Sequence, residues 1–369
     1  MPLKLSRTAT SMLIVVIVVA SGIGGWIFLR GQDDTPKSKE EVVRGIDADL
    51  AALAGKGFAG SVLLAKDGQV LLTRAYGLAD RSSGRLVTLE TGFDIGSLVK
   101  PFTAAAILQL ESEGKLQTSD IIGRFFKNVP ADKAAITVNQ LMDHSSGLPD
   151  IVGANSSPID YVPDTDYQPV SRDEIVRRAL HAKLLFSPGE KSEYSNIGYS
   201  LLGAIIEIAS GQSYESYVHD HIFRPAGMAR TGYLIPNWKN GELAVGYYKG
   251  QRWGTPLEHP WIGDGPSWNL RANGGMLSTV QDLYKWIQAL EGNSILAPAA
   301  TQKFFNLYVH KNKRGARTMG AAGSNDVFDA SYLWYVDEHR LLIMLTNSDQ
   351  YRAEKMIPDL AKEMRRIRP

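Results

Sequence analysis

The strand-forming stretches of this chain lie at its two ends, with a long helical middle between them. Gly60 to Lys66 and Gln69 to Tyr76 are β-rich runs joined by Asp67-Gly68, and Asp-Gly between such runs is the strongest short-range hairpin signal. Val327 to Val336 and Leu341 to Thr346 form a second β-rich pair around the polar Asp337-Glu338-His339-Arg340. Before the first hairpin, Val42, Val43, Ile46, Leu50 and Leu53 recur at helical spacing. Phe102 to Leu110 reads as a helix that stops near Gly114, and Ala353 to Ile367 as a closing helix. From Gly123 to Pro225 helical patterns alternate with Pro-, Gly- and Ser-rich loops. Gly246 to Asn273, rich in Trp, Tyr, Gly and Pro, reads as irregular surface loop. Two β-rich ends need each other to bury an apolar face. The pattern therefore predicts an α+β unit in which terminal strands form one antiparallel sheet and the helical middle packs beside it.

Ahead of that unit, Thr8 to Leu29 carries no charge, with Lys4 and Arg7 before it and Arg30 after it. About 20 apolar residues cross a bilayer, so residues 1–30 read as a transmembrane anchor. A cleaved signal peptide with a small-residue site near Ala20 is the rival reading, although the apolar run continues past it through Leu29. Basic residues on the short N-terminal side would leave that end cytoplasmic and the rest extracytoplasmic, periplasmic or extracellular. Residues 31–41 are polar, broken by Pro36, and read as a linker; residues 42–369 form the domain.

A formal net charge of +1 gives no electrostatic reason to expect a nucleic-acid partner. The absence of cysteine excludes disulfides, thiolate metal sites and a cysteine nucleophile.

Two short stretches carry candidate chemistry. In Ser97-Leu98-Val99-Lys100, residues three apart share a helix face, so the serine lies beside the lysine. A lysine held in a dry site loses proton affinity and can accept the serine proton. In Tyr194-Ser195-Asn196, the tyrosine is a second candidate base or a proton relay, and Asn196 a candidate to hold a substrate carbonyl or Lys100. Together they are a kit for acyl transfer through a covalent intermediate. Ser112 and Lys115 repeat the spacing, but Gly114 interrupts that helix. Ser267-Trp268-Asn269 is a weaker second motif, and His219-Asp220-His221 lacks an identifiable third metal ligand. His144, beside Ser145 and Ser146, reads as a turn histidine.

Four segments, in order, resemble the serine β-lactamase and penicillin-binding-protein-like hydrolases of the class C-type branch, which includes D,D-carboxypeptidases and carboxylesterases. Phe93 to Ala104 looks like the nucleophile box, Leu141 to Pro149 like the His-x-Ser-Gly-Leu turn, Tyr194 to Tyr199 like the tyrosine box, and Asn273 to Thr279 with Asp282 like the late glycine turn. The resemblance covers roughly residues 43 to 350. It implies the β-lactamase/penicillin-binding-protein-like α+β fold and Ser97 as nucleophile, with Lys100 and Tyr194 sharing its proton in an order the sequence leaves open. It also implies an oxyanion hole from the N–H groups of Ser97 and Ser324, a small-molecule or peptide-like substrate, and neither metal nor organic cofactor. One departure stands out. Where the family carries a basic residue, then Thr or Ser, then Gly, this chain has Ala321-Ala322-Gly323, with Lys313-Arg314-Gly315 as a rival placement. That loss argues against carboxylate-bearing β-lactams and peptidyl-D-alanine and favours neutral esters or amides. A D,D-carboxypeptidase or β-lactamase, or a silent binding protein that keeps the fold, are the alternatives.

Overall fold

The computed structural model describes residues 35–150, 169–259 and 265–368. The apolar run and the first linker residues lie outside them. Among the described residues no helix is long and apolar enough to cross a membrane.

The N-terminal hairpin forms as the sequence predicts. Strands β1 (Gly60–Lys66) and β2 (Gln69–Tyr76) pair antiparallel. Asp67 and Gly68 both take positive φ, at 52° and 74°, the twist that a two-residue hairpin turn requires. From the other end come β3 (His310–Lys311), β4 (Arg317–Ser324), β5 (Asp329–Tyr335) and β6 (Arg340–Thr346). The sheet runs β2-β1-β6-β5-β4-β3, wholly antiparallel. Ends of the chain meet at its centre, where Leu63 of β1 and Tyr332 of β5 both face Ile343 of β6.

Helices cover both faces of this sheet, which explains why Leu341 to Leu345 is continuously apolar rather than alternating. On one face α1 (Lys39–Ala54) and α9 (Ala353–Met364) bury Val42, Ile46, Leu50, Met356 and Leu360 against Val62, Leu64, Leu342 and Met344. On the other, Leu63, Ile343 and Leu345 join the larger core, which includes Phe102 of α2 (Val99–Ser112) and Leu283 and Trp286 of α7 (Val280–Glu291). Among the described residues the remaining α-helices are α3 (Val138–Met142), α4 (Arg172–His181), α5 (Asn196–Ser210), α6 (Tyr214–Val218) and α8 (Pro298–Tyr308). Of these, α5 packs directly on α2.

Two local expectations change. Helix α1 begins at Lys39, because Ser38 and Glu41 form a capping box, and Lys37 bridges to Ile367. Residues 37–41, polar in the sequence, thus carry the start of α1 and a bridge to the C-terminal segment. Gly246 to Asn273 is also not simply surface loop. It contains a short hairpin, Gly246–Tyr248 with Gln251–Gly254, and residues 265–273 run through the interior. Asn273 Nδ2 donates to Ser200 Oγ and to the Asn269 carbonyl at 2.8 and 2.6 Å. Polarity is here satisfied inside the protein rather than by water.

Candidate active site

The chain reaches Ser97 through a turn that only glycine tolerates. Phe93–Asp94 pairs with Leu277–Ser278, and Gly96 then takes φ 47°. Asp94 Oδ1 accepts the Gly96 N–H at 2.7 Å, and Asp94 Oδ2 accepts Asn325 Nδ2 at 3.2 Å. That second bond ties the turn to the end of β4. A Cβ at Gly96 would meet Ser324 N at 2.6 Å, and one at Gly323 would meet Ser97 N at 2.5 Å. Two glycines thus let the backbone of Gly323–Ser324 lie against that of Gly96–Ser97. The strand beside Ser97 is therefore Ala321-Ala322-Gly323, within β4, and the rival Lys313-Arg314-Gly315 falls in the β3–β4 connection. The Ser324 hydroxyl is engaged elsewhere, donating to the Phe328 carbonyl at 3.1 Å, which leaves its backbone as the part relevant to the site.

From Gly96–Leu98, a single 3-10 turn, the chain enters α2, with Lys100 on its first turn. Lys100 is 4% exposed. Its Nζ lies 3.0 Å from Ser97 Oγ, 2.7 Å from Asn196 Oδ1 and 2.8 Å from the Asn273 carbonyl. Tyr194 stands just before α5, whose N-cap is Ser195. Its hydroxyl is 2.6 Å from Ser97 Oγ, and its ring lies 4.7 Å from the Lys100 ammonium position. The four candidate side chains of the two sequence stretches, Ser97, Lys100, Tyr194 and Asn196, are therefore brought together. Neither decoy joins them: Ser112 Oγ donates back to the Leu108 carbonyl, and Ser267 is buried with its Oγ accepting the Asn269 N–H. His219 contacts its neighbour Asp220.

The same geometry sets the proton affinities. Burial brings Lys100 down to about 7, and the Asp150 carboxylate opposes this. Tyr194 moves the other way. Burial of the phenol raises it above its ordinary value, with Asp150 and Tyr199 adding to the rise and the bond from Ser97 opposing it. The Tyr194 side chain is nonetheless 47% exposed, so water tempers the rise without reversing it.

Three contributors were missed from sequence. The Asn273 carbonyl is backbone and leaves no side-chain signal. Asp150, which accepts Asn196 Nδ2 at 2.8 Å, stands just after the His144 turn with nothing local to mark it. His144 does sit in a turn, at φ 60°. It also packs between Tyr194 and Tyr199, at ring separations of 4.8 and 5.1 Å, and its Nδ1 accepts the Ser195 N–H. Burial and the nearby Lys100 lower His144 to about 3, so it is neutral.

Fold and site together define a class: an α+β protein with a serine and a buried lysine one helical turn apart, beside a strand of a helix-covered antiparallel sheet. The chain belongs to the β-lactamase family of serine hydrolases, whose family model, described as Beta-lactamase, matches residues 47–355. PbpX of Bacillus subtilis (strain 168), named as a penicillin-binding protein, is 31% identical over 276 residues. That match spans 73% of this chain and 65% of PbpX, just under two thirds of its length. The octameric penicillin-binding protein homologue from Pyrococcus abyssi superposes with a TM-score of 0.71 at 25% identity, over 87% of this chain and 77% of its own. D-amino acid amidase from Ochrobactrum anthropi SV3 also reaches 0.71, over 89% of this chain and 98% of its own. At 23% identity that is a likeness of fold.

Proposed function

We propose that this protein hydrolyses an ester or amide, esters foremost, through an acyl-enzyme on Ser97. The observation that carries the reading is the contact set of Lys100. A neutral amine has two N–H donors and one lone pair. With Asn196 Oδ1 and the Asn273 carbonyl taking the donors, the lone pair faces Ser97 Oγ at 3.0 Å. Proton affinity near 7 keeps a substantial neutral fraction available at neutral pH. This supports Lys100 as the base and Tyr194 as a neutral phenol, because forming a phenolate there is opposed by burial and by Asp150.

The steps follow. Ser97 Oγ gives its proton to Lys100 and bonds the carbonyl carbon. The carbonyl oxygen becomes an oxyanion held by the N–H groups of Ser97 and Ser324. Tyr194 donates its proton to the leaving oxygen or nitrogen as that bond breaks, and the Lys100 proton restores the phenol. Water then attacks the acyl-enzyme carbonyl as Lys100 accepts one of its protons, and as the bond to Ser97 Oγ breaks Lys100 returns that proton to Oγ, releasing the acid and free Ser97. Asn196 and Gly323 serve by position, the first holding Lys100 and the second admitting β4.

Ala321 and Ala322 leave those β4 positions without the cation and hydroxyl that hold a substrate carboxylate. This supports neutral ester or amide substrates over β-lactam or peptidyl-D-alanine, and it is also what would favour a silent binding protein. The uncharged Thr8 to Leu29 supports an anchored, extracytoplasmic domain; membrane fractionation with protease shaving of intact cells tests that separately. For the chemistry, intact mass after a fluorophosphonate probe is decisive. One adduct on the wild type and none on Ser97→Ala is expected. No adduct on folded protein would favour the binding-protein reading.

A further inference from the structure

We propose that the domain docks on anionic lipid headgroups through a basic hollow at the C-terminal end of α9, beside the β3–β4 connection. This rests on the reading of Thr8 to Leu29 as an anchor and adds a lipid-binding surface to it. The hollow measures about 470 Å³ and is lined by Arg314, Lys362, Arg365, Arg366 and Arg368, with no carboxylate among its described lining residues. Arg314, Lys362, Arg365 and Arg368 are exposed. Arg366 is buried and pairs with Glu363 at 2.7 Å. Carboxylates on the neighbouring elements are engaged: Asp337 with Arg317, Glu338 with Arg340, and Glu41 with the Ser38 cap. Asp359, one turn before Lys362, is half-buried and opposes only part of this charge. Cations converging on one concave surface without acids between them raise a positive potential that favours a surface of many negative charges.

The covalent chain keeps this hollow close to the anchor. Lys37 N–H donates to the Arg366 carbonyl at 2.8 Å, and Arg368 N–H donates to the Lys37 carbonyl at 3.1 Å. Arg368 Nε donates to the Pro36 carbonyl at 3.3 Å, and Pro36 itself lines the hollow. The entering chain is thus fastened to the rim. Pro36 follows Leu29, the end of the uncharged run, by seven residues, a span of at most about 25 Å. Tethering at that distance raises the effective concentration of headgroups, so a surface of modest affinity suffices. Asp33 and Asp34 outnumber Arg30 in the intervening stretch, so the attraction must come from the folded hollow rather than from the tether. Ser97 lies at the other end of β4. Arg317 opens that strand beside the hollow, and Ser324, which lies against Gly96–Ser97, closes it, about 23 Å away at the rise of a strand. Docking therefore leaves the cleft uncovered.

The chain has no cysteine, so Lys355→Cys, exposed on α9 two turns before Lys362, gives one site for a donor dye. The full chain is reconstituted with vesicles of phosphatidylcholine, alone or with about 30% phosphatidylglycerol, that carry an acceptor lipid. Energy transfer then reads the docked fraction. Transfer should be higher with phosphatidylglycerol and fall to the neutral-vesicle level in about 0.5 M salt. Combining Arg314→Gln, Lys362→Gln and Arg365→Gln should lower the docked-to-undocked ratio about 100-fold, at roughly fivefold per cation near an anionic surface. All three side chains are exposed, so Tm should hold. Inorganic phosphate at equal ionic strength should not displace the domain; displacement would mark a small-anion pocket and overturn the lipid surface. Equal transfer on both vesicles, or a difference that survives in the triple variant, overturns the docking, while flotation with vesicles in high salt leaves the anchor standing. Flotation with phosphatidylglycerol vesicles alone, lost in salt, keeps the docking and overturns the anchor. With no flotation on either vesicle, both readings fall.

Discussion

At the scale of single residues, the chemistry turns on a lysine under two opposed pressures. Burial strips the ammonium of water and lowers its proton affinity, while Asp150 supports the charged form; the balance lies near 7. The direction of the resulting pH dependence follows. Below 7 Lys100 is protonated and cannot accept the Ser97 proton, so kcat/KM should rise through an acid limb near pH 7 and then level. Asp150→Asn removes the group that favours the charged form, so the limb should move to lower pH; a limb that stays fixed would detach it from Lys100. Tyr194 and Tyr199, whose rings face Lys100, and the neutral His144 stay uncharged across that range. Lys100→Arg cannot be deprotonated and should lose roughly 10³-fold or more in the rate of Ser97 labelling. Tyr194→Phe keeps the ring but loses proton delivery, for an expected loss on the order of 10²- to 10³-fold.

Elements meet at a seam between β4 and the 3-10 turn that leads into α2, and glycine decides whether that seam closes. A methyl at Gly323 would fall 2.1 Å from the Ile95 carbonyl oxygen and 2.5 Å from Ser97 N. These are backbone atoms that cannot swing aside, so the strand must retreat and carry the Ser324 N–H with it. Gly323→Ala should therefore slow Ser97 labelling by about 10²-fold or more, the scale of a lost oxyanion donor, together with a lower Tm. Gly68→Ala offers the contrast. Its φ of 74° strains any other residue, yet nothing lies within 4 Å of the new methyl. It should cost about 1–2 kcal/mol of stability and leave labelling of the folded fraction unchanged. If both variants behave alike, the seam is not where the site is set.

The whole molecule depends on a strand drawn from the far end of the chain. β6 is buried along all seven residues, flanked by β1 and β5 and covered on both faces. Ile343 points into the core shared with α2 and α7, and Met344 into the core under α1 and α9. Truncating either to Ala should destabilise by about 2–5 kcal/mol, read as a lower urea midpoint at unchanged slope. Similar losses from opposite faces would establish one cooperative unit. A much smaller loss for Met344→Ala would mean that the α1–α9 layer melts on its own.

Much of this was legible in the chain because the signals are local. β-rich runs marked the terminal strands, helical spacing marked α1, the apolar run before Gly114 marked α2, the closing stretch from Ala353 marked α9, and Asp67-Gly68 marked the hairpin. A three-residue spacing put Ser97 beside Lys100, and the ordered boxes tied Tyr194 and Asn196 to them. What the tertiary structure decided is non-local. Strand order required knowing that β6 inserts between β1 and β5. The inward course of residues 265–273 depended on buried partners such as Ser200, which composition cannot reveal. Which of Lys100 and Tyr194 is the better base rests on burial and on the charge of Asp150. Those act through space, across segments that the sequence keeps far apart, and a proton affinity is a property of that assembled environment rather than of a residue's name.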